Sequence, residues 1–102
     1  MIAVLNGTGE HPEGRLIGRT TASADLLARI ASDEDTHDWQ PALRHLRDGD
    51  GELVVTTTDD RHYRWRLVAP DGAVLAESPP IYRDEQACRD AFATARRAAD
   101  LV

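Results

Sequence analysis

Two arginines, Arg64 and Arg66, alternate with aromatic and apolar residues in one short stretch and have the clearest capacity for chemistry in this chain. Side chains of a β-strand point alternately to its two faces, so both guanidinium groups share one face, with His62 extending the row. Guanidinium groups bind carboxylates or phosphates through paired hydrogen bonds. His62, Arg64 and Arg66 are therefore the candidate partner-binding face. The alternative interpretation is that the arginines pair with Glu52 or Glu77 on neighbouring strands and simply solvate an exposed sheet face.

The other reactive side chains form no recognisable catalytic or metal-binding pattern. The four histidines fall in different predicted elements, without the paired spacing of zinc ligands. Acidic clusters that begin at Asp33 and Asp48 lack the glycine that a calcium loop requires at its sixth position. Cys88 lies on the apolar side of a predicted helix, where a thiol packs as a small hydrophobe with a raised pKa. We therefore expect no metal, no cofactor and no catalytic residue.

Composition sets the broad class of the protein. A chain of 102 residues, with 41% hydrophobic and 29% charged residues, suits one folded domain with a single core. The net charge is −6 and all 12 basic residues are arginine, so general binding to nucleic acid is disfavoured. The single cysteine, the absence of a basic leader and the lack of an apolar run of about 20 residues predict a cytoplasmic protein with no membrane segment.

The best-defined elements are two strands of the C-terminal half, at 52–58 and 62–68, joined by an acidic turn. Their β-branched and aromatic residues predict a hairpin. Tyr63, Trp65 and Leu67 lie on the face opposite the arginines and form its core side.

A third strand and a final helix complete this half. The strand at 73–77 follows a Pro-Asp-Gly turn and stops at the prolines 79–80, and Asp84 is the expected N-cap of the helix. The apolar stripe of that helix consists of Ala87, Cys88, Ala91, Phe92, Ala95 and Ala99. The C-terminal unit is thus predicted as strand, strand, strand, helix.

The N-terminal half has weaker signals. Two strands are predicted at 2–5 and 15–19, with a turn-rich stretch between them, and a helix is predicted after Ser23. The residues expected on the buried side of that helix are Leu26, Leu27 and Ile30.

A further short helix is predicted at 38–47, with Asp38 as its N-cap, Pro41 in its first turn and Gly49 at its end. Its apolar stripe consists of Trp39, Leu43 and Leu46.

The two halves suggest an internal duplication. The segment 12–20 parallels 70–78, and Ser23 then parallels the cap at Asp84. The alternative is two unrelated hairpins in one α+β domain.

The stretch 63–78, together with Tyr82 and the helix that contains Ala87 and Cys88, resembles the YegP-like family of small bacterial and archaeal domains. The resemblance covers a little under half of the chain. It implies a three-stranded sheet with a helix, either duplicated within one chain or paired between two chains so that the strands share one sheet. It supplies no activity. The chain departs from the family at 79–81, where a glycine-containing turn is usual, and its first half lacks the Arg-Trp-Arg signature.

The expected fold is therefore α+β, an antiparallel sheet with helices on one face. One domain spans 1–102, with a divergent unit at 1–48 and a YegP-like unit at 52–102. The expected function is non-enzymatic association, with a second copy as a homodimer or with another protein, through a sheet edge or the arginine-bearing face. Two alternatives are open: a nucleic-acid accessory protein that uses the arginines with Trp65 or Trp39, and an enzyme with an unrecognised small-molecule pocket.

Overall fold

The computed structural model describes residues 2–7, 14–19, 23–31 and 39–102. Within these ranges the chain forms, in order, β1 (Ile2–Gly7), β2 (Gly14–Arg19), β3 (Ala24–Ile30), α1 (Gln40–Asp48), β4 (Glu52–Thr57), β5 (Tyr63–Val68), β6 (Val74–Glu77) and α2 (Glu85–Leu101). All strands pair antiparallel in one sheet, and both helices pack on the same face of it. The fold class is α+β, as the sequence predicts.

The sheet order is β1-β2-β3-β6-β5-β4. Each half of the chain therefore places its three strands in succession from an outer edge to the centre, and a helix follows in each half. The two halves share one sheet because β3 and β6 pair at its centre, which is the arrangement expected for two units of strand, strand, strand and helix.

The central pairing, here called the seam, is short. Its paired residues are Arg29 with Glu77 and Ile30 with Ala76, and one further hydrogen bond runs from the Ala31 amide to the Leu75 carbonyl at 2.8 Å. The pairing of β4 with β5 extends over six residue pairs by comparison. Backbone hydrogen bonds therefore join the halves less extensively than they join the strands of the C-terminal hairpin.

The predicted C-terminal hairpin is confirmed, and its aromatic side faces the helices. Trp65 and Leu67 are buried, at 0% and 1% exposure, while Tyr63 is half-buried. The Trp65 ring meets Phe92 of α2 edge to face, with centroids 5.1 Å apart and planes at 70°. Cys88 is also fully buried in this core, so the strand and the last helix pack as the apolar pattern predicts.

The predicted beginning of α2 at Asp84 and the predicted end of α1 at Gly49 are both present. The Asp84 carboxylate accepts a hydrogen bond from the Ala87 amide at 2.7 Å and caps α2, satisfying an amide that has no partner within the helix. Gly49 ends α1 with a φ of 74°, a conformation that side chains with a Cβ rarely adopt. The predicted cap Asp38 lies outside the described residues, and Trp39 occupies the N-cap position without a side-chain bond.

The prediction of a helix after Ser23 is wrong, because Ala24–Ile30 forms strand β3. A β-bulge explains the error. Ala28 pairs with Leu16, but Leu26 pairs with Ile17, so Leu27 is an extra residue in the ladder. The extra residue shifts the phase of the alternation, and the apolar positions then imitate helical spacing.

The proposed alignment of 12–20 with 70–78 does not follow the observed topology. The strand β2 is the middle strand of its half and corresponds by position to β5, whereas β6 is an inner strand and corresponds to β3. Each half has a register shift between its middle and inner strands, at Leu16/Ile17 and at Leu67/Val68. The two halves therefore correspond strand by strand in chain order.

Candidate binding face

The side of the sheet opposite the helices, here called the open face, carries both predicted arginines. Because Trp65 and Leu67 point to the helices, Arg64 and Arg66 point away from them. Direct cross-strand partners share a face, so the register extends this face across the whole sheet. Its charged side chains in the described strands are Arg15, Arg19, Arg29, Arg64, Arg66, Glu52 and Glu77. The open face thus has an excess of positive charge in a protein whose net charge is −6.

One row of cross-strand neighbours runs across four strands of this face. Arg66 pairs with Glu77, Glu77 with Arg29, and Arg29 with Arg15. Neighbouring strands lie about 4.8 Å apart, so Arg66 and Arg15 stand about 14 Å apart at the level of the backbone. We call these four residues the transverse row.

Glu77 neutralises one end of the transverse row. Its Oε2 atom lies 3.0 Å from Nε of Arg66 and 3.9 Å from Nη1 of Arg64, and all three side chains are about one-third exposed or less. The contact with Arg66 has the length of a charge-assisted hydrogen bond, and the contact with Arg64 is longer than one. Nε of Arg64 is buried without a hydrogen-bond partner. The predicted pairing with Glu77 is therefore present, and Glu52 makes no ion pair within the described residues.

The other end of the row has no such neutralisation. Arg15 and Arg29 face each other directly across β2 and β3, and both side chains are exposed. Neither they nor Arg19 lie within 4.0 Å of a carboxylate in the described part of the chain. Like charges directly opposite each other destabilise a sheet by up to about 1 kcal/mol. A bound anion would remove that repulsion.

His62, the third predicted residue of the face, belongs to the β4–β5 turn and does not join the arginines. Its Nδ1 atom lies 3.2 Å from Oδ2 of Asp60, and the imidazole is about half exposed. A hydrogen bond donated by the Thr58 hydroxyl, reinforced by His62, lowers the pKa of Asp60. The turn thus holds a small polar cluster of its own.

Apolar side chains separate the charges of the open face. They are Ile17, Leu26, Val54, Val68 and Val74. Val74 is 39% exposed, and the others are partly buried. No aromatic ring lies on the open face within the described strands, because Tyr63 and Trp65 both point to the helices. The face can therefore form ion pairs and bury aliphatic surface, whereas it offers no platform on which a nucleic-acid base could stack.

Within the described part of the chain, the side chains considered for catalysis or metal binding are not assembled into a site; His11, His37 and the acidic cluster that begins at Asp33 lie outside it. Among residues 2–7, 14–19, 23–31 and 39–102, no group of three or more His, Cys, Asp or Glu side chains is arranged to hold a metal ion. Cys88 is fully buried, and burial raises the pKa of its thiol, which is the opposite of activation. In the same described ranges, no helix combines the length and apolar character needed to cross a membrane.

Sequence reasoning missed Arg15, Arg19 and Arg29. The first two lie in a strand that was correctly predicted, and their alternation with Leu16 was a usable signal for their face. Arg29 was hidden because the bulge made β3 resemble a helix. The sheet order that brings β2 and β3 beside β6 was the information needed to join these residues to Arg66.

The fold and this face define an α+β domain with one helix-covered and one arginine-bearing side of its sheet. No family model, no curated protein and no solved structure matches this chain. The YegP-like kinship stays a prediction from the residues of the C-terminal half.

Proposed function

We propose that this chain is a non-enzymatic cytoplasmic association module, akin to the YegP-like domains, that binds an acidic segment of a protein partner through its open face. The observation that carries the proposal is the Arg15–Arg29 pair, two exposed like charges in direct opposition with no described carboxylate within 4.0 Å. Such a pair costs stability in the free protein and becomes favourable when an anion bridges it.

The mixture of side chains favours a protein partner over nucleic acid. Arginine beside aliphatic residues is typical of protein interfaces, where the guanidinium pairs with a carboxylate and the aliphatic groups lose contact with water. Nucleic-acid binding through the open face would depend on phosphate contacts alone, because Trp65 is fully buried and Trp39, at the start of α1, packs against the core.

The direct test is a calorimetric titration of the protein with a capped hexaglutamate peptide. The variant combines Arg15→Gln with Arg29→Gln. The control combines Arg44→Gln with Arg97→Gln, two exposed arginines on helices α1 and α2, on the other side of the sheet, that make no ion pair with a described residue. Both double variants change the net charge equally, so non-specific electrostatic attraction affects them alike.

We expect the wild type to bind at or below about 1 mM and the open-face variant to lose about tenfold in affinity, or about 1.4 kcal/mol. The control should lose less than about twofold. Equal losses in the two variants would refute a role for the open face. A 12-residue oligouridylate that binds more tightly than the peptide at equal salt would favour nucleic acid, and a concentration-dependent doubling of solution mass that the open-face variant abolishes would favour a homodimer.

A further inference from the structure

A shallow groove of about 370 Å³ lies on the open face beside the seam. Its charged lining comes from Arg29, Arg66 and Glu77, and its apolar wall comes from Ala31, Val74 and Leu75. The groove therefore occupies the middle of the transverse row, where both halves of the chain contribute to the same concave surface.

The charges around the groove leave room for one negative charge. Arg66 is already bound to Glu77 through the 3.0 Å contact, so this pair is close to neutral. Arg29 has no carboxylate partner among the described residues, and the positive charge of Arg15 stands directly beside it. An anion in the groove would thus meet Arg29 as its principal partner, and Glu77 would repel a second negative charge.

The shape and lining of the groove favour a carboxylate on a short aliphatic stem. A planar carboxylate matches the two parallel N–H donors of a guanidinium group. Val74 is 39% exposed on the wall of the groove, and Leu75 is partly buried beside it, so methylene groups that lead to the carboxylate can pack there. A phosphate monoester, which carries close to two charges, would place its additional charge near Glu77.

We infer that this groove binds the side chain of a glutamate from the acidic partner, with its carboxylate paired to Arg29 and its methylene groups against Val74 and Leu75. The inference rests on the proposed function and names the point at which the partner is anchored. Arg15 and Arg66 flank the anchor and extend the attraction to neighbouring acidic residues of the same segment.

The test compares Arg29→Gln with Arg19→Gln, because Arg19 is also an exposed arginine of the open face but does not line the groove. Capped hexaglutamate and capped hexaaspartate are the two probes. We expect Arg29→Gln to weaken hexaglutamate binding about tenfold and Arg19→Gln at most about twofold. Wild-type protein should bind hexaaspartate about threefold less tightly, since each residue lacks one methylene group that can be buried.

Amide chemical shifts supply a readout independent of the substitutions. With hexaglutamate, the largest shifts in the wild-type protein should fall on Ala31, Val74 and Leu75. Equal losses of affinity in the Arg29→Gln and Arg19→Gln variants, or largest shifts remote from these three amides, would refute the inference that the glutamate binds in the groove. Neither result would refute binding by the open face. If wild-type protein does not bind hexaglutamate at about 5 mM, both the proposed function and the glutamate site in the groove are refuted.

Discussion

Neutralising Glu77 should lower the stability of the protein and raise its affinity for acidic peptides at the same time. In Glu77→Gln the amide oxygen can still accept a hydrogen bond from Nε of Arg66, now 3.0 Å from the carboxylate, but the charge that strengthens this bond is lost. Arg64, at 3.9 Å, loses its only ion pair among the described residues. Arg29, the cross-strand neighbour of Glu77, then faces additional uncompensated positive charge.

The size of the stability loss follows from the exposure of these groups. Fully exposed ion pairs contribute up to about 1 kcal/mol, and hydrogen bonds to charged groups contribute about 1.5 to 3 kcal/mol. The side chains of Arg66 and Glu77 are 33% and 27% exposed, so an intermediate loss of about 1.5 kcal/mol is expected. In a domain of this size, that loss lowers Tm by about 6 to 12 °C.

Thermal unfolding and peptide titration of the same variant provide the assay. Glu52→Gln is the matched control, because Glu52 lies on the open face, is exposed and makes no ion pair with a described residue. Its stability should change by less than about 0.5 kcal/mol. Affinity for hexaglutamate should rise about threefold in Glu77→Gln, since the competing carboxylate is gone.

Two results would refute the reasoning about Glu77. Equal Tm values for the Glu77→Gln and Glu52→Gln variants would mean that the Arg64 and Arg66 contacts contribute nothing to stability. Weaker peptide binding by the Glu77→Gln variant would mean that Glu77 positions the arginines for the ligand and does not compete with it.

Three further predictions concern the scaffold. Ser78→Ala should lower the free energy of unfolding, measured in urea, by about 1 to 3 kcal/mol, because the Ser78 hydroxyl accepts a 3.0 Å hydrogen bond from the buried Trp65 amide. Ser78→Thr, which keeps the hydroxyl, should lower it less. Gly49→Ala should cost about 1 kcal/mol and lower Tm by about 4 to 8 °C, because a residue with a Cβ is disfavoured at a φ of 74°; the Arg96 guanidinium, which lies 2.8 Å from the position of that Cβ, ends a flexible side chain and can move aside. An unchanged Tm would contradict this. Burial raises the pKa of Cys88 above its ordinary value of 9.0, so the unfolded thiol ionises first and stability should fall as pH rises past about 9; a Cys88→Ala variant should show a flatter pH dependence over this range.

The C-terminal unit was predictable because its sequence pattern and its structure have the same period. Tyr63, Trp65 and Leu67 alternate without interruption, and Asp84 is followed by a regular apolar stripe. The hydrogen bond from the Trp65 amide to Ser78 could not be foreseen, because it depends on the tertiary pairing of β5 with β6.

The N-terminal half was predicted less well for two physical reasons. A bulge at Leu27 breaks the alternation of β3, so a local pattern indicated the wrong element. The central position of β3 depends on its pairing with β6, a strand about 50 residues later, and local periodicity contains no information about such a contact. The candidate face was therefore recovered only in part, as Arg64 and Arg66 without Arg15 and Arg29.

Because the pairing of β3 with β6 is short, the sheet consists of two three-stranded halves that few backbone hydrogen bonds join. Two residue pairs and the Ala31 amide provide the backbone bonds between these halves, so the helices that pack on both halves supply much of the remaining cohesion. A polypeptide bound from Arg66 to Arg15 would span the β3–β6 pairing and contact both halves of the sheet. Occupancy of the open face should then slow hydrogen exchange at Ala31 in step with the fraction of protein bound.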